Sequence, residues 1–223
     1  MAVQTGEGTM EIIYGSTSIP AGPDVFGGYL ARPDAMGQWP TVIVFGPEPV
    51  PTSAVKNLCR VFARHSFAAL APDLTIDHDV NQAIATKLVG FISDPTGRWS
   101  NAQLGYGTLA FGHGIYDAAS HAAAGSGVAA VAGVATTFDE IVTEDLRSAN
   151  VATLCIGSRG DESFDADATL GTRTDLPLTT FVVYPDAPTG WWDDDADGYD
   201  ETYAADTVDR VLSFFGEHLP ERV

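Results

Sequence analysis

The sequence predicts an α/β domain built on a mainly parallel, doubly wound sheet flanked by helices, and three observations predict it. Short, continuous apolar runs rich in β-branched residues or alanine recur along the chain, with Thr41-Val-Ile-Val-Phe45 the clearest of them; such runs suit strands buried on both faces. Other segments carry apolar residues at helical spacing. Strands and helices alternate, the order that winds a parallel sheet. At 223 residues, with no internal repeat and no Pro/Ser-rich linker, the chain is expected to form one domain over 1–223.

In order, Glu11-Ile-Ile-Tyr14 and Phe26-Gly-Gly-Tyr-Leu-Ala31 read as a leading hairpin across the Pro20-Ala-Gly-Pro-Asp24 turn. Pro33 and Pro40 close the approach to the strand Thr41–Phe45, and Gly46-Pro-Glu-Pro-Val-Pro-Thr52 is too proline-rich for a regular element. Ser53 is a candidate N-cap for a helix in which Val55, Leu58, Cys59, Phe62 and Ala63 share one stripe. Phe67-Ala-Ala-Leu-Ala71 is the next strand, stopped by Pro72-Asp73. Val80 to Ile92 reads as a helix with Ile84, Leu88 and Phe91 inward, ended by Asp94-Pro-Thr-Gly97. Leu104 to Phe111 is a strand and Ile115 to Ala124 a helix. Gly127–Gly133, Val151–Ile156 and Thr180–Tyr184 are three further strands, before a last helix from about Tyr203 to His218 with Val208, Val211, Leu212 and Phe215 inward. In such a sheet the ligand crevice lies at the carboxyl ends of the strands, so the loops after Phe45, Ala71, Phe111, Ile156 and Tyr184 matter for function.

Thirty acidic against eleven basic residues give a formal charge of -19 and a strongly negative surface field. Nucleic acid and anionic membranes are poor partners for it, and solubility is the preferred account of the acidity. No apolar run approaches the ~20 residues of a membrane span, and Met1 to Glu11 lacks the basic start and apolar core of a signal peptide. Two cysteines, Cys59 and Cys155, fit a reduced interior, and both fall on buried faces as core thiols. A cytoplasmic protein is the expectation, as monomer or homodimer, with a small molecule as its partner.

The stretch Thr108-Leu-Ala-Phe-Gly-His-Gly-Ile115 runs from an apolar strand through small residues into an alanine-rich helix. That is the outline of a nucleophile elbow, a sharp strand-to-helix turn that exposes one side chain above a sheet. Here the tip is Gly112, which has no side chain to attack anything.

With those loops placed, the chain resembles the dienelactone hydrolases, a branch of the α/β-hydrolase superfamily, over nearly its whole length. The stations are Gly28-Tyr-Leu-Ala-Arg-Pro33, Pro40 with Thr41–Phe45, Lys56 to Asp73, the elbow, Tyr184-Pro-Asp-Ala-Pro-Thr-Gly-Trp191, and a closing helix that ends in Phe-Phe-Gly-Glu-His-Leu219. The resemblance implies an α/β-hydrolase fold and a Cys or Ser nucleophile with a His base and an orienting Asp. The family's elbow reads Gly-Phe-Cys-x-Gly-Gly, so the cysteine's place holds Gly112. The family's Tyr-Pro-x-Ala-x-His-Gly-Phe puts Thr189 where the histidine belongs. The aspartate's place falls in Gly157-Ser-Arg-Gly-Asp161, and Asp161 alone survives. The family's Glu after its third strand matches Glu48, although without a gap Pro47 falls there instead.

Nucleophile and base are missing together, each inside a matching frame, which argues against acyl transfer through a covalent intermediate. Several residues remain as candidates. His113 follows the tip, where with Gly114 this fold donates backbone N–H groups to an oxyanion, and its imidazole can act as acid or base near neutral pH. His78 lies in the loop after Asp73, either reaching the crevice or solvated beside Asp77 and Asp79. Asp161 is either a general acid–base group or a hydrogen-bonded relic. Trp191, Trp192 and Tyr184 either line an aromatic pocket or pack the core, with the core favoured for Tyr184. Tyr116 belongs to the pocket floor or to the core. Ser158 and Ser163 flank Asp161 as conceivable substitute nucleophiles, with no histidine near them in sequence. His65, His121 and His218 sit on helices away from the strand ends. The acidic run Asp193-Asp-Asp195 with Asp197 and Asp200 has the oxygen ligands for calcium but lacks the spacing of an EF-hand loop, so a solvated turn is expected; no metal and no cofactor is expected.

The expected function is non-covalent chemistry in a dienelactone-hydrolase-like pocket, as a lyase, isomerase or cyclase of an apolar, oxygenated small molecule. The alternatives are a ligand-binding pseudoenzyme and a hydrolase that uses activated water.

Overall fold

A computed structural model describes residues 10–21, 24–94 and 96–222. Among these residues, eight strands form one sheet: β1 (Ile12–Ala21), β2 (Asp24–Pro33), β3 (Thr41–Phe45), β4 (Ala68–Pro72), β5 (Tyr106–Phe111), β6 (Val128–Val134), β7 (Ala152–Ser158) and β8 (Thr179–Tyr184). Their order across the sheet is β1-β2-β4-β3-β5-β6-β7-β8. The hairpin β1–β2 is antiparallel, and β2 pairs antiparallel with β4; every later pairing is parallel. Among the described residues, six α-helices flank the sheet: α1 (Ser53–Arg64), α2 (His78–Ile92), α3 (Gly114–Ala123), α4 (Glu140–Ala149), α5 (Ala166–Gly171) and α6 (Glu201–His218).

The central strands are buried on both faces, so each splits its side chains between two cores. Val42 and Val44 of β3 and Leu109 and Phe111 of β5 join Val55, Cys59 and Phe62 of α1 and Val211 and Phe215 of α6. Ile43 and Phe45 of β3 and Ala110 of β5 face the other way, onto Leu88 and Ile92 of α2, Ile115 and Ala118 of α3, and Val142 and Leu146 of α4. The alternation is the two-residue pleat of a strand. Cys59 and Cys155 are free and buried as expected, and burial pushes the Cys59 thiol up to about 12 and the Cys155 thiol up as well, which keeps both protonated and poorly nucleophilic.

Four local expectations change. The hairpin strands are longer than the apolar runs, ten residues each, because backbone pairing from Ile12↔Pro33 to Ala21↔Asp24 continues through polar and proline positions. The cap of α1 is Thr52, whose side chain accepts the Val55 N–H, and Ser53 is the first helical residue. Helix α2 begins two residues before Val80 on an Asp77 cap. Helices α4 and α5 fill what the sequence leaves as plain connections after β6 and β7; only Val142 and Leu146 of α4 are buried, a stripe too narrow to stand out. Among the described residues, no helix is long and apolar enough to cross a membrane.

Candidate active site

The turn from β5 into α3 has the geometry of an elbow. Gly112 has φ +52°, and the helix starts two residues later at Gly114. A Cβ at Gly114 would lie 2.6 Å from the Phe45 carbonyl oxygen and 2.9 Å from that of Gly46. Glycine there is what lets α3 start directly against the end of β3. At Gly112 a Cβ would meet only Pro47, at 3.4 Å from its Cβ, so the tip opens toward the loop after β3. Among the described residues, Thr52, Asp77, Asp139, Asp165 and Asp200 cap α1, α2, α4, α5 and α6, and no side chain caps α3.

A cavity of about 330 Å³ opens beside the elbow, at the carboxyl ends of β3 and β4. Pro47 and Glu48 form one wall, Leu74, Thr75 and Ile76 a second, and His113, Gly114 and Asp117 the third, with Asn81 at the base. His113 is exposed and stands between this cavity and a broader depression of about 510 Å³ running along α3 to Ile141 and Asp145. The Tyr116 ring stacks on the His113 imidazole, with centroids 6.3 Å apart and planes 23° from parallel. Tyr116 Oη donates to Asp139 Oδ2 at 2.7 Å, and that bond is the first cause holding the phenol above its usual pKa. Tyr116 therefore lines the broader depression while tied to the cap of α4. His78 is the first residue of α2; its side chain lies outside the described residues.

Asp117 and Asn81 escaped the sequence reading. Both are almost fully buried, yet both line the cavity. Asn81 Nδ2 donates to Asp117 Oδ2 at 3.0 Å. The amide is itself held by Thr75, whose N–H donates to Asn81 Oδ1 at 2.8 Å and whose carbonyl accepts from Nδ2 at 3.0 Å. Gln82 Nε2 also donates to the Asp117 carbonyl oxygen at 3.0 Å. The available signal was a carboxylate four residues after His113, one helical turn along the same face.

The loops after β7 and β8 bring Asp161 and Thr189 together. Thr189 Oγ1 donates to Asp161 Oδ1 at 3.0 Å, and the same oxygen accepts from the Ser163 N–H at 2.9 Å and the Ser163 hydroxyl at 2.7 Å. The Glu162 N–H donates back to Thr189 Oγ1 at 3.1 Å. Asp161 is thus a buried, hydrogen-bonded carboxylate that ties two loops, and it does not line the cavity beside His113. Ser163 is spent on Asp161, and Ser158 is fully buried with its hydroxyl donating to the Ala187 carbonyl at 2.7 Å.

The aromatic group divides. Trp191 is fully buried, its Nε1 donating to Thr207 Oγ1 at 3.1 Å and its ring edge-on to Tyr184, so it packs the core rather than a pocket. Tyr184 is core as well, with Oη donating to Asp206 at 2.6 Å. Trp192 is half-buried and lies on Phe111, ring centroids 4.2 Å apart, where it closes a small apolar cavity of about 40 Å³ with Leu58, Val208 and Val211. The carboxylates of Asp193, Asp194 and Asp195 cluster tightly enough to approach a single ion, while Asp194 Oδ2 accepts from Asn57 at 3.0 Å and Asp193 Oδ1 from the Asp195 N–H at 2.9 Å.

No protein-family model and no curated protein matches the sequence. Solved structures do. A protein assigned as a dienelactone hydrolase from Klebsiella pneumoniae superposes with a TM-score of 0.78 at 23% identity, covering 93% of this chain and all of its own. A dienelactone-hydrolase-like promiscuous phosphotriesterase from metagenomic libraries gives 0.77 at 15% identity, covering 94% of this chain and 99% of its own. The chain has the dienelactone-hydrolase fold. The dienelactone hydrolase from Anabaena variabilis agrees, with a TM-score of 0.74 at 15% identity over 94% of this chain and 99% of that one. The turn that follows β5 in this chain carries Gly112.

Proposed function

We propose that this protein uses the crevice beside the elbow for non-covalent chemistry on an oxygenated small molecule, as a lyase, isomerase or cyclase, with His113 moving the proton. The observation that carries the reading is an elbow with its geometry intact and no side chain at its tip, while Thr189, in the place the resemblance gives to the base, is bonded to Asp161. The space above Gly112 is then part of the binding site. The backbone N–H groups of His113 and Gly114, at a helix start with no side-chain cap among the described residues, suit the polarisation of a carbonyl, which stabilises the charge that develops on its oxygen. His113 is the exposed acid–base group on the cavity wall. Asp161, whose Oδ1 already accepts three bonds, serves in this reading to fix the loops rather than to move a proton. That saturation also favours a second reading, a pseudoenzyme that holds its ligand unchanged.

The deciding experiment treats the purified protein with a fluorophosphonate and with iodoacetamide, and follows esters, lactones and enolisable ketones by NMR. The expected result is no covalent labelling at the elbow, no ester or lactone hydrolysis, and conversion of a carbonyl substrate that is lost in His113→Ala and retained in Asp161→Asn. Labelling together with ester hydrolysis overturns the reading. Slow hydrolysis without an acyl adduct replaces it with an activated-water hydrolase, and binding without any conversion leaves the pseudoenzyme.

A further inference from the structure

We propose that β8 is a docking edge for a second copy of this chain, which extends the sheet by antiparallel β8–β8 pairing about a twofold axis at Phe181. The inference stands apart from the chemistry at the elbow.

The strand β8 ends the sheet, and among the described residues it pairs with β7 alone. Bonds at its two ends fix which way its backbone groups point. The Thr153 N–H donates to the Leu178 carbonyl at 3.1 Å and the Arg159 N–H to the Tyr184 carbonyl at 3.0 Å. Even-numbered residues of β8 therefore turn their N–H and C=O groups to β7, and Thr179, Phe181 and Val183 turn theirs outward. The Thr179 N–H is taken by the Leu176 carbonyl at 3.1 Å, whereas no loop backbone among the described residues bonds the outward groups of Phe181 or Val183. Sheet edges are commonly guarded by a charge, a proline or a bulge. Thr-Thr-Phe-Val-Val-Tyr carries none of these and consists of strong strand formers. The opposite edge, β1, has Gly15 and Pro20 within its length.

Two such edges complement each other in one register. With Phe181 opposite its own copy, the two Phe181 N–H groups donate to each other's carbonyls. Each Val183 N–H then meets the Thr179 carbonyl of the other copy, so the position whose own N–H is spent is used as an acceptor. The two Phe181 rings become a cross-strand aromatic pair, a stabilising combination. On the α6 face Thr180 comes beside Val182 of the second copy, and Leu178, 50% exposed just before β8, comes opposite Tyr184. A contact about 20 Å long, the length of such a strand, and about 25 Å deep, the sheet with its flanking layers, covers roughly 500 Å² on each copy. The total, about 1,000 Å², lies at the lower limit of a specific interface, so the dimer is expected to be weak, with a Kd on the order of 10 μM. Asp206, Asp209 and Glu217 of α6 line the groove beside β8, and each copy carries a net charge of -19. Like charges therefore oppose the pairing, and salt strengthens it by screening them.

The experiment is sedimentation across a range of protein concentrations, in about 0.05 M and about 0.5 M salt, beside amide hydrogen exchange. A monomer–dimer equilibrium is expected, tightening by about threefold or more at the higher salt. The Phe181 and Val183 amides should exchange slowly in the dimer and fast on dilution, while Thr180 and Val182, bonded to β7, stay protected throughout. Val183→Pro removes an outward N–H, which an edge strand tolerates, and Thr180→Glu adds a charge at an exposed position of the edge. Each should weaken association by about tenfold or more. Ser16→Glu adds the same charge at an exposed position of β1 and should leave association unchanged. Thr180→Glu keeps the test decisive if Val183→Pro fails to fold. A monomer at every concentration leaves the edge to some other strand and overturns the inference. So do assemblies larger than a dimer, a dimer whose Phe181 and Val183 amides stay fast, and a dimer that Ser16→Glu weakens as much as Thr180→Glu.

Discussion

At Gly112 an added Cβ makes one ordinary contact, with Pro47 at 3.4 Å, whereas at Gly114 it would sit 2.6 Å from a backbone oxygen. The two residues therefore answer a methyl group differently. Gly112→Ala should cost roughly 1–2 kcal/mol, the penalty of a left-handed conformation. Gly114→Ala should cost more than about 3 kcal/mol, because β3 and α3 must separate to admit it; urea unfolding of both variants checks the ordering. The outcome bears on function. If Gly112 accepts a side chain cheaply, glycine at the tip is not demanded by packing, and its presence is a matter of the site. Asp161 and Thr189 carry the same kind of information. Their bond shows a threonine occupying a position beside the carboxylate that a larger side chain would fill differently, in a loop pair already closed by Ser163.

At the scale of elements, the helices are set by their caps as much as by their stripes. Asp200 Oδ1 accepts the Thr202 N–H at 2.9 Å and the Tyr203 N–H at 3.1 Å, and the helix it starts, α6, buries Val211 and Phe215 against β5 and β6. Asp200→Ala should destabilise the protein by about 1 kcal/mol without touching the elbow, read as a shift in the denaturation midpoint at constant slope. The legibility of the chain follows the same division. Strands β3, β4 and β5 were readable because burial on both faces leaves continuous apolar runs. Helix α4 was not, since it packs through Val142 and Leu146 alone and leaves Ile141 exposed. The turn at Gly112 and the separate positions of Asp161 and Thr189 were read from ordered motifs, whereas the bond between those two side chains was not. Asp117 carried one local signal, its place a helical turn after His113, but its bond to Asn81 comes from the crossing of α2 and α3, which no local pattern encodes. Trp191 and Trp192 are adjacent in sequence, and only packing decides that one is sealed in the core and the other covers Phe111.

Across the whole molecule the acidic surface and the buried core respond to pH in opposite ways. The described ion pairs, Arg147 with Glu144, Arg159 with Asp167 and Arg210 with Asp206, are all at the surface, and their arginines are already counted in the net charge of -19. Mild acid relieves that self-repulsion and so favours the compact state. His121 works against it. The ring, in the last turn of α3, is almost fully buried, its Nε2 lies 2.7 Å from Tyr106 Oη, and its Nδ1 has no partner among the described residues. Burial lowers its pKa from 6.5 to about 4. Between those values the unfolded chain binds a proton that the folded chain refuses, so the stability held above pH 6.5 is lost as pH falls, by about 1.4 kcal/mol per unit, and the loss levels off below the folded pKa. High salt screens the surface repulsion and leaves the buried ring unscreened. Unfolding measured from pH 7 to 4 in molar salt should therefore show a steady decline that is flattened in His121→Gln. An unchanged slope in that variant would assign the acid sensitivity to the carboxylates instead.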